Sequence, residues 1–217
     1  MADIDLMRLR QTVLCGCGAP LAPVAPTPPN GRRPSWHDAL CPACRESTIA
    51  STLVTRRVLS ELVADERGYA LHRRLLPDAT VVDHVFVGEA AVHVISVVSG
   101  SDGEVLVERT GGRFAAGTEA LTIGGRRRTD LVDVVRAQST AVASGLADHG
   151  QGDLPVVPVI CFVDAHLARR ARHRHIGDVR LVSPATLGDE LAAHGLFDGD
   201  RRFAVAMTLV SFLPSTT

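Results

Sequence analysis

The stretch from Val81 to Val98 determines the predicted fold of this chain. It begins as Val-Val-Asp-His-Val-Phe-Val, turns at Gly-Glu-Ala-Ala, and returns as Val-His-Val-Ile-Ser-Val-Val. Two runs rich in β-branched residues, joined by a short turn, predict a β-hairpin. The two strands contain a single carboxylate, that of Asp83. Because a buried carboxylate is costly unless a partner compensates for it, Asp83 indicates a site.

The composition is that of a soluble globular protein. The chain has 217 residues and a mass of 23.0 kDa, with 46% apolar and 22% charged residues, enough for one substantial core. A net charge of -1 provides no global basic field, so contact with nucleic acid would depend on local Arg clusters. All 23 basic residues are Arg, which we interpret as a coding bias. Without an apolar run of about 20 residues or a signal-peptide pattern, we expect a cytoplasmic protein with no membrane partner.

Residues 1–45 differ from the rest of the chain and predict a small zinc-knuckle head. They contain a Pro-rich loop and four of the five cysteines, which are Cys15, Cys17, Cys41 and Cys44. In a cytoplasmic chain two close cysteine pairs favour a structural zinc, because four soft ligands complete its tetrahedron. The alternatives are a redox pair and plain reduced thiols. The Cys-x-Cys spacing is less usual than Cys-x-x-Cys, and His37 or His72 could replace one ligand.

Residues 46–217 predict a mixed-sheet α/β domain. The periodicity of residues 46–65 is typical of an amphipathic helix. Strands are then predicted at residues 69–72, 80–87, 91–98, 104–108 and 120–123, and after a second helix at residues 156–163 and 179–182. The order of helix, antiparallel strands, helix, strand, strand and helix indicates a mixed sheet flanked by helices.

The second helix has a predicted N-cap at Thr129 and ends at Gly150. Its predicted inner face consists of Leu131, Val134, Val135, Gln138, Val142 and Leu146. A third helix is predicted from the cap Ser183 and the first-turn Pro184. The apolar segment of residues 201–213 fits neither class clearly, and a homo-oligomer formed through it is compatible with the pattern.

Five motifs in the same order resemble the nuclease-related (NERD) domains of actinobacterial type. They are Leu76-Pro77 followed by Val-Asp-His-Val-Phe-Val-Gly (82–88), the strand at 91–98, Ile-Gly-Gly-Arg-Arg-Arg-Thr-Asp-Leu (123–131), Arg-Ala-Gln (136–138) and Val-Pro-Val-Ile-Cys-Phe-Val (157–163). The resemblance covers about residues 48–195, so the cysteine-rich head lies outside it. It implies a restriction-endonuclease-like core that hydrolyses DNA with Mg²⁺.

Carried over to this chain, the resemblance implies a degenerate catalytic motif. In such cores carboxylates hold the metal and a lysine orients or activates the attacking water. The metal-binding aspartate falls on Asp83, but the second acid falls on Ser96 and the lysine on Val98. The glutamate of the first helix falls near Thr55, and Gln138 matches the glutamine of the second helix.

The alternation of side chains along a strand tests these implied catalytic positions independently of the family resemblance. Ser96 and Val98 share one face of their strand, whereas His93 points to the other and cannot replace the missing acid. One carboxylate and a serine make a poor Mg²⁺ site. Asp83 and His84 also have structural interpretations. Asp83 could cap a turn or pair with an Arg, and His84 could bond to a carbonyl in the core.

Two Arg clusters are candidate nucleic-acid contacts. They consist of Arg126, Arg127 and Arg128 at a turn, and of Arg169, Arg170, Arg172 and Arg174 in a later tract. Such clusters are often solvated surface, and otherwise they contact phosphates. The two histidines of the later tract could also ligate a metal.

These patterns predict a non-catalytic relative of the nucleases. It would act as a binding or scaffold module whose partner is nucleic acid or another protein. The alternative is an active Mg²⁺-dependent DNA nuclease with a rearranged site around Asp83. A divalent ion beside Asp83 would favour the enzyme, and an apolar plug of Val94 and Val98 would favour the module.

Overall fold

The computed structural model describes residues 42–99, 103–110, 118–163, 165–167 and 175–216. The chain divides into two units, Met1–Ala50 and Ser51–Thr217. Of the first unit only the backbone of residues 42–50 is described. The predicted zinc ligands Cys15, Cys17 and Cys41 therefore lie outside the described residues, and Cys44 is described by its backbone alone.

The described helices and strands include the predicted ones in the predicted order, together with three short strands and a fourth helix that were not predicted. They are α1 (Pro42–Ala64), β1 (Tyr69–Leu75), β2 (Val81–Val87), β3 (Val92–Val98), β4 (Glu104–Thr110), β5 (Thr118–Ile123), β6 (Arg126–Arg127), α2 (Thr129–Asp148), β7 (Val156–Phe162), β8 (His166–Leu167), β9 (His175–Ile176), β10 (Val179–Val182), α3 (Pro184–Leu191) and α4 (Gly199–Phe212). The first helix begins four residues before its predicted start, with Pro42 at a position where its missing N–H costs no helical bond.

The described strands form two sheets. The larger has six strands in the order β1-β2-β3-β7-β10-β9, and the smaller has four in the order β6-β5-β4-β8. Strands β1 to β3 are antiparallel neighbours, whereas β7 is parallel to both β3 and β10. The predicted mixed-sheet α/β architecture is confirmed. The strand at 156–162 is central as predicted, with Pro158 buried opposite Val94.

Helices cover both faces of the larger sheet. One face packs its apolar side chains, including Phe86 and Ile95, with Leu59 of α1 and Leu187 of α3. The other face packs on α2 and α4 through two further clusters. Complete burial of a side chain such as Phe86 contributes about 1.5–3 kcal/mol.

The second helix differs from its prediction in two details. It begins at Thr129 with Arg128 as the N-cap residue, and no side chain caps it. Val134 is half exposed, and Val132 is buried in its place. The reason is that α2 packs against strands of both sheets, which moves the buried stripe around the helix. Gly150, at a φ of 74°, ends the helix as predicted.

The last two helices are capped at their starts. Pro184 occupies the first position of α3 as predicted, and Thr186 Oγ1 accepts a hydrogen bond from the Ser183 N–H at 3.1 Å. The ambiguous segment of residues 201–213 is helical, and the Asp198 carboxylate caps α4 by accepting the Arg201 N–H at 2.8 Å. Among the described helices, none is long and apolar enough to span a bilayer.

Candidate functional site

Asp83 lies where the hydrogen-bond ladder between β2 and β3 ends. The last regular pair joins His84 to Ile95, and the same register would place Asp83 opposite Ser96. Instead of a backbone bond, the Asp83 carboxylate accepts the N–H of Val97 at 2.8 Å. The Asp83 side chain therefore replaces a backbone acceptor of the ladder, and the regular pairing of β2 with β3 ends there.

Gln138 closes this gap from the second helix. The Ser96 hydroxyl donates to Gln138 Oε1 at 3.0 Å, and Gln138 Nε2 donates to the carbonyl of Val81 at 3.1 Å. Gln138 is buried, so both ends of its amide need partners, and here both have one. The amide links β2 to β3 where their backbone pairing stops. Ser96 and Gln138 thus bond to each other, and Asp83 bonds to the backbone N–H of Val97, the residue after Ser96. We call these three residues the Asp83 cluster: Asp83, Ser96 and Gln138.

The electrostatics of Asp83 are dominated by burial. Burial raises the pKa of its carboxyl to about 6, while the Val97 N–H and the charge of Arg73 act in the opposite direction. Arg73, on the neighbouring strand β1, has a left-handed backbone with a φ of 48°. A structural part for Asp83, as a ladder cap near an arginine, fits these contacts.

The other positions of the implied motif are apolar or buried. Val94 is completely buried, and Val98 is half-buried against the cluster that contains Phe162. Thr55, where the resemblance would place a glutamate, is completely buried with its hydroxyl 3.9 Å from the sulfur of Cys161. Within the described ranges no group of three or more His, Cys, Asp or Glu side chains is arranged to hold a metal ion.

A histidine pair beside the cluster was not predicted from the sequence. His72 of β1 lies directly opposite His84 of β2, and their Nδ1 atoms are 2.9 Å apart. His84 is completely buried and its Nε2 has no partner, so burial lowers its pKa to about 3, with a further contribution from His72. The partner of His84 is therefore a second imidazole and not a carbonyl in the core. The signal in the sequence was symmetry, because both histidines lie six residues from Asp78 at the turn between the strands.

His93 points to the opposite face from Ser96, as alternation predicted. It is almost completely buried near Phe86, with a distance of 6.4 Å between ring centroids. Its Nδ1 has no hydrogen-bond partner. Burial lowers the pKa of His93 to about 4, and the charge of Arg180 acts in the same direction.

The first Arg cluster is only partly available for anions. Arg126 and Arg127 are exposed on the short strand β6, and Arg127 Nε donates to the Thr129 hydroxyl at 3.4 Å. Arg128 forms an ion pair with Asp130 at 3.2 Å, which neutralises its charge. The second cluster, Arg169, Arg170, Arg172 and Arg174, lies outside the described residues.

Of the residues that the NERD resemblance selects, Ser96 and Gln138 bond to each other, Asp83 bonds to backbone, and Thr55 lies against Cys161. Comparisons of the chain with protein-family models, curated proteins and solved structures found no match. The resemblance to that family accordingly rests on the sequence motifs alone.

We expect Asp83→Asn to stabilise the fold at neutral pH. The folded carboxyl, with its pKa raised to about 6, binds a proton more tightly than the unfolded one, so ionisation above pH 6 destabilises the fold. The amide oxygen of Asn can still accept the Val97 N–H. At 1.36 kcal/mol per pKa unit the gain is about 3 kcal/mol at pH 7, and it decreases as the pH falls toward 4.

Urea unfolding of both proteins between pH 5 and 8 measures this difference. Asp189→Asn, at an exposed carboxylate of α3, is the matched control and should leave the free energy of unfolding unchanged. An Asp83→Asn variant that is less stable than the parent at pH 8 would show that the ionised carboxylate has a favourable partner.

Proposed function

We propose that this chain is a non-catalytic relative of the nuclease-related domains and acts as a binding or scaffold module. The observation that carries the proposal is the set of hydrogen bonds that the Asp83 cluster makes within the protein. One oxygen of Asp83 replaces a ladder bond, and Ser96 and Gln138 satisfy each other. A metal site needs carboxylate oxygens free for the ion, since Mg²⁺ is usually bound by one or two carboxylates, waters and substrate phosphates.

The lysine position supports the same proposal. Val98 places a half-buried apolar side chain there, packed in the core, and Val94 two residues earlier is completely buried. An apolar plug of this kind cannot orient a water molecule or neutralise a phosphate. The restriction-endonuclease-like core belongs to the proposal as well, because antiparallel β1–β3, then α2, then β7 parallel to β3 is compatible with it.

The proposed partner is nucleic acid or another protein. On the described surface, Arg126 and Arg127 present exposed guanidinium groups at one turn. Two phosphate contacts would release few counterions, at a slope of about -0.9 per contact, so binding through this turn alone would be weak and sequence-independent. A cytoplasmic location is part of the proposal.

Hydrolysis of DNA should be undetectable with Mg²⁺ or Mn²⁺. Supercoiled plasmid and single-stranded DNA should remain intact at a level indistinguishable from that of the Asp83→Ala variant, because the second acid and the lysine are absent. The double variant Ser96→Asp/Val98→Lys tests whether these two groups suffice to restore cleavage. Cleavage by the natural chain that is lost in Asp83→Ala would establish the alternative, an active Mg²⁺-dependent nuclease.

The proposed head binds one structural zinc through Cys15, Cys17, Cys41 and Cys44. Reduced, freshly purified protein should contain about one zinc per chain, since four thiolates fill the tetrahedral coordination. Cys17→Ser should lower the zinc content, and Cys161→Ser, at the buried cysteine of β7, should leave it unchanged. Zinc-free protein, or a disulfide between the two cysteine pairs, would contradict this proposal.

A further inference from the structure

We propose that the outer edge of β1 receives an extended, apolar segment of a partner protein, which joins the larger sheet as an additional strand between α1 and α4. This inference does not depend on whether the Asp83 cluster is catalytic. It rests on a cavity, a free backbone edge and the apolar side chains beside that edge.

The cavity, which we call the edge slot, has a volume of about 340 Å³. Its floor is formed by residues 69–72 of β1. Its walls are Ser60 and Val63 of α1 on one side and Phe203, Ala206, Met207 and Val210 of α4 on the other. Since the two helices cover opposite faces of the sheet, the slot lies in line with the sheet itself. A strand placed there would continue the sheet.

The edge of β1 already accepts extended backbone at one end. Residues 214–216 pair with Arg73 and Leu75 through two backbone hydrogen bonds of 2.9 and 3.0 Å, in antiparallel direction. Backbone groups on one edge of a strand alternate with a period of two residues, so the N–H and C=O of Tyr69 and Leu71 point the same way. Because β1 is the outermost strand of its sheet and no other described residue pairs with its outer edge at Tyr69–Leu71, this part of the edge is available for pairing as far as the described residues go.

The walls define the chemistry of the segment. Phe203 is 53% exposed, Met207 52% and Val63 39%, although all three border the same slot. Such an exposed apolar cluster beside a free strand edge is typical of strand addition, in which backbone bonds give affinity and pockets select alternate side chains. An inserted strand would direct successive side chains to α1 and to α4 in turn. Apolar residues at every second position meet Phe203 and the adaptable thioether of Met207.

The dimensions favour a short segment over a second copy of the chain. Residues 214–216 already occupy one end, so about four residues of edge remain, a length of about 13 Å at 3.3 Å per residue. A second copy would have to bring its own α1 and α4 past the exposed side chains that form the walls. A single extended segment needs only the width of one strand, about 4.8 Å.

Phage display of random octapeptides against the full-length protein tests the proposal. We expect the selected peptides to have apolar residues at alternating positions and to lose about tenfold or more in affinity for Met207→Glu, because the charge would be buried without a partner. Val134→Glu is the matched control, since Val134 is 50% exposed on α2 away from the slot, and it should bind the same peptides as the parent. Circular dichroism establishes that both variants are folded.

Hydrogen exchange adds a readout that a nonspecific apolar contact would not change. Binding of a selected peptide should slow exchange of the Leu71 amide, and N-methylation of the peptide backbone should abolish binding. The proposal is overturned if no peptide is selected, if Met207→Glu binds as tightly as the parent, or if Leu71 exchange is unaffected. Sedimentation showing a dimer that Met207→Glu dissociates, without peptide binding, would also overturn it and identify the slot as a self-association surface.

Discussion

Lowering the pH from 7 to 4 should destabilise this protein by about 4 kcal/mol, because two buried histidines bind protons more weakly in the folded than in the unfolded chain. Burial lowers the pKa of His84 to about 3 and that of His93 to about 4, from an unfolded value near 6.5. Groups with a depressed folded pKa stabilise the fold above the unfolded pKa, and this stability is lost as the pH falls. Between pH 7 and pH 4 the two histidines together lower the free energy of unfolding by about 6 kcal/mol, and protonation of Asp83 raises it by about 2 kcal/mol.

This loss is a large fraction of the total stability of a domain, which is typically about 5–15 kcal/mol. Urea unfolding between pH 7.5 and 4.5 measures it, and histidine NMR signals identify the groups. His93→Leu should move the acid transition to lower pH, because it removes a titrating side chain that has an unpartnered Nδ1. His166→Gln, at an exposed histidine of β8, is the control and should not move it. Titration of His93 above pH 6 in the folded protein would contradict the prediction.

The parts of the fold that were predictable are those determined by local pattern. The hairpin of β2 and β3 followed from two β-branched runs, and the central position of β7 followed from an apolar run that Pro158 did not interrupt. The helix α4 was not recognised because its apolar residues lie on two sides. Leu209 is buried in the core, whereas Phe203 and Met207 line the edge slot, so no single stripe is visible in the sequence.

The sequence predicted which residues form the candidate site, but it did not predict the hydrogen bonds that they make. Alternation correctly separated Ser96 from His93, and the family resemblance selected Gln138. The contact of Asp83 with the Val97 N–H depends on the point at which the ladder stops, and strand pattern contains no information on that point. The pairing of His72 with His84 likewise requires the register of β1 against β2, which is determined by the turn between them.

Gly195→Ala should destabilise the fold by about 3 kcal/mol, although Gly→Ala in a compatible loop usually stabilises by about 0.4–1 kcal/mol. A Cβ at this position would lie 2.1 Å from the carbonyl oxygen of Glu89 and 2.3 Å from the Cα of Ala90. Both atoms are backbone of the turn between β2 and β3, so the clash cannot be relieved by a side-chain rotation. Displacing the turn would also weaken the hydrogen bond of 2.9 Å between the Phe197 N–H and the Glu89 carbonyl.

Displacement of this turn would also disturb the ion pairs of Glu89. The Glu89 carboxylate contacts Arg67 at 3.4 Å and Arg202 at 3.5 Å, and these pairs join the connection after α1 and the first turn of α4 to the hairpin. Gly188→Ala in α3 is the matched control, since its added Cβ would meet only Val58 at 3.9 Å, and it should stabilise the helix by about 1 kcal/mol. Opposite signs for the two variants in urea unfolding at pH 7.5 are the expected result. If Gly195→Ala were as stable as Gly188→Ala, the α3–α4 loop could not be packed against the hairpin. Other contacts would then have to hold α1 and α4 on opposite faces of the sheet.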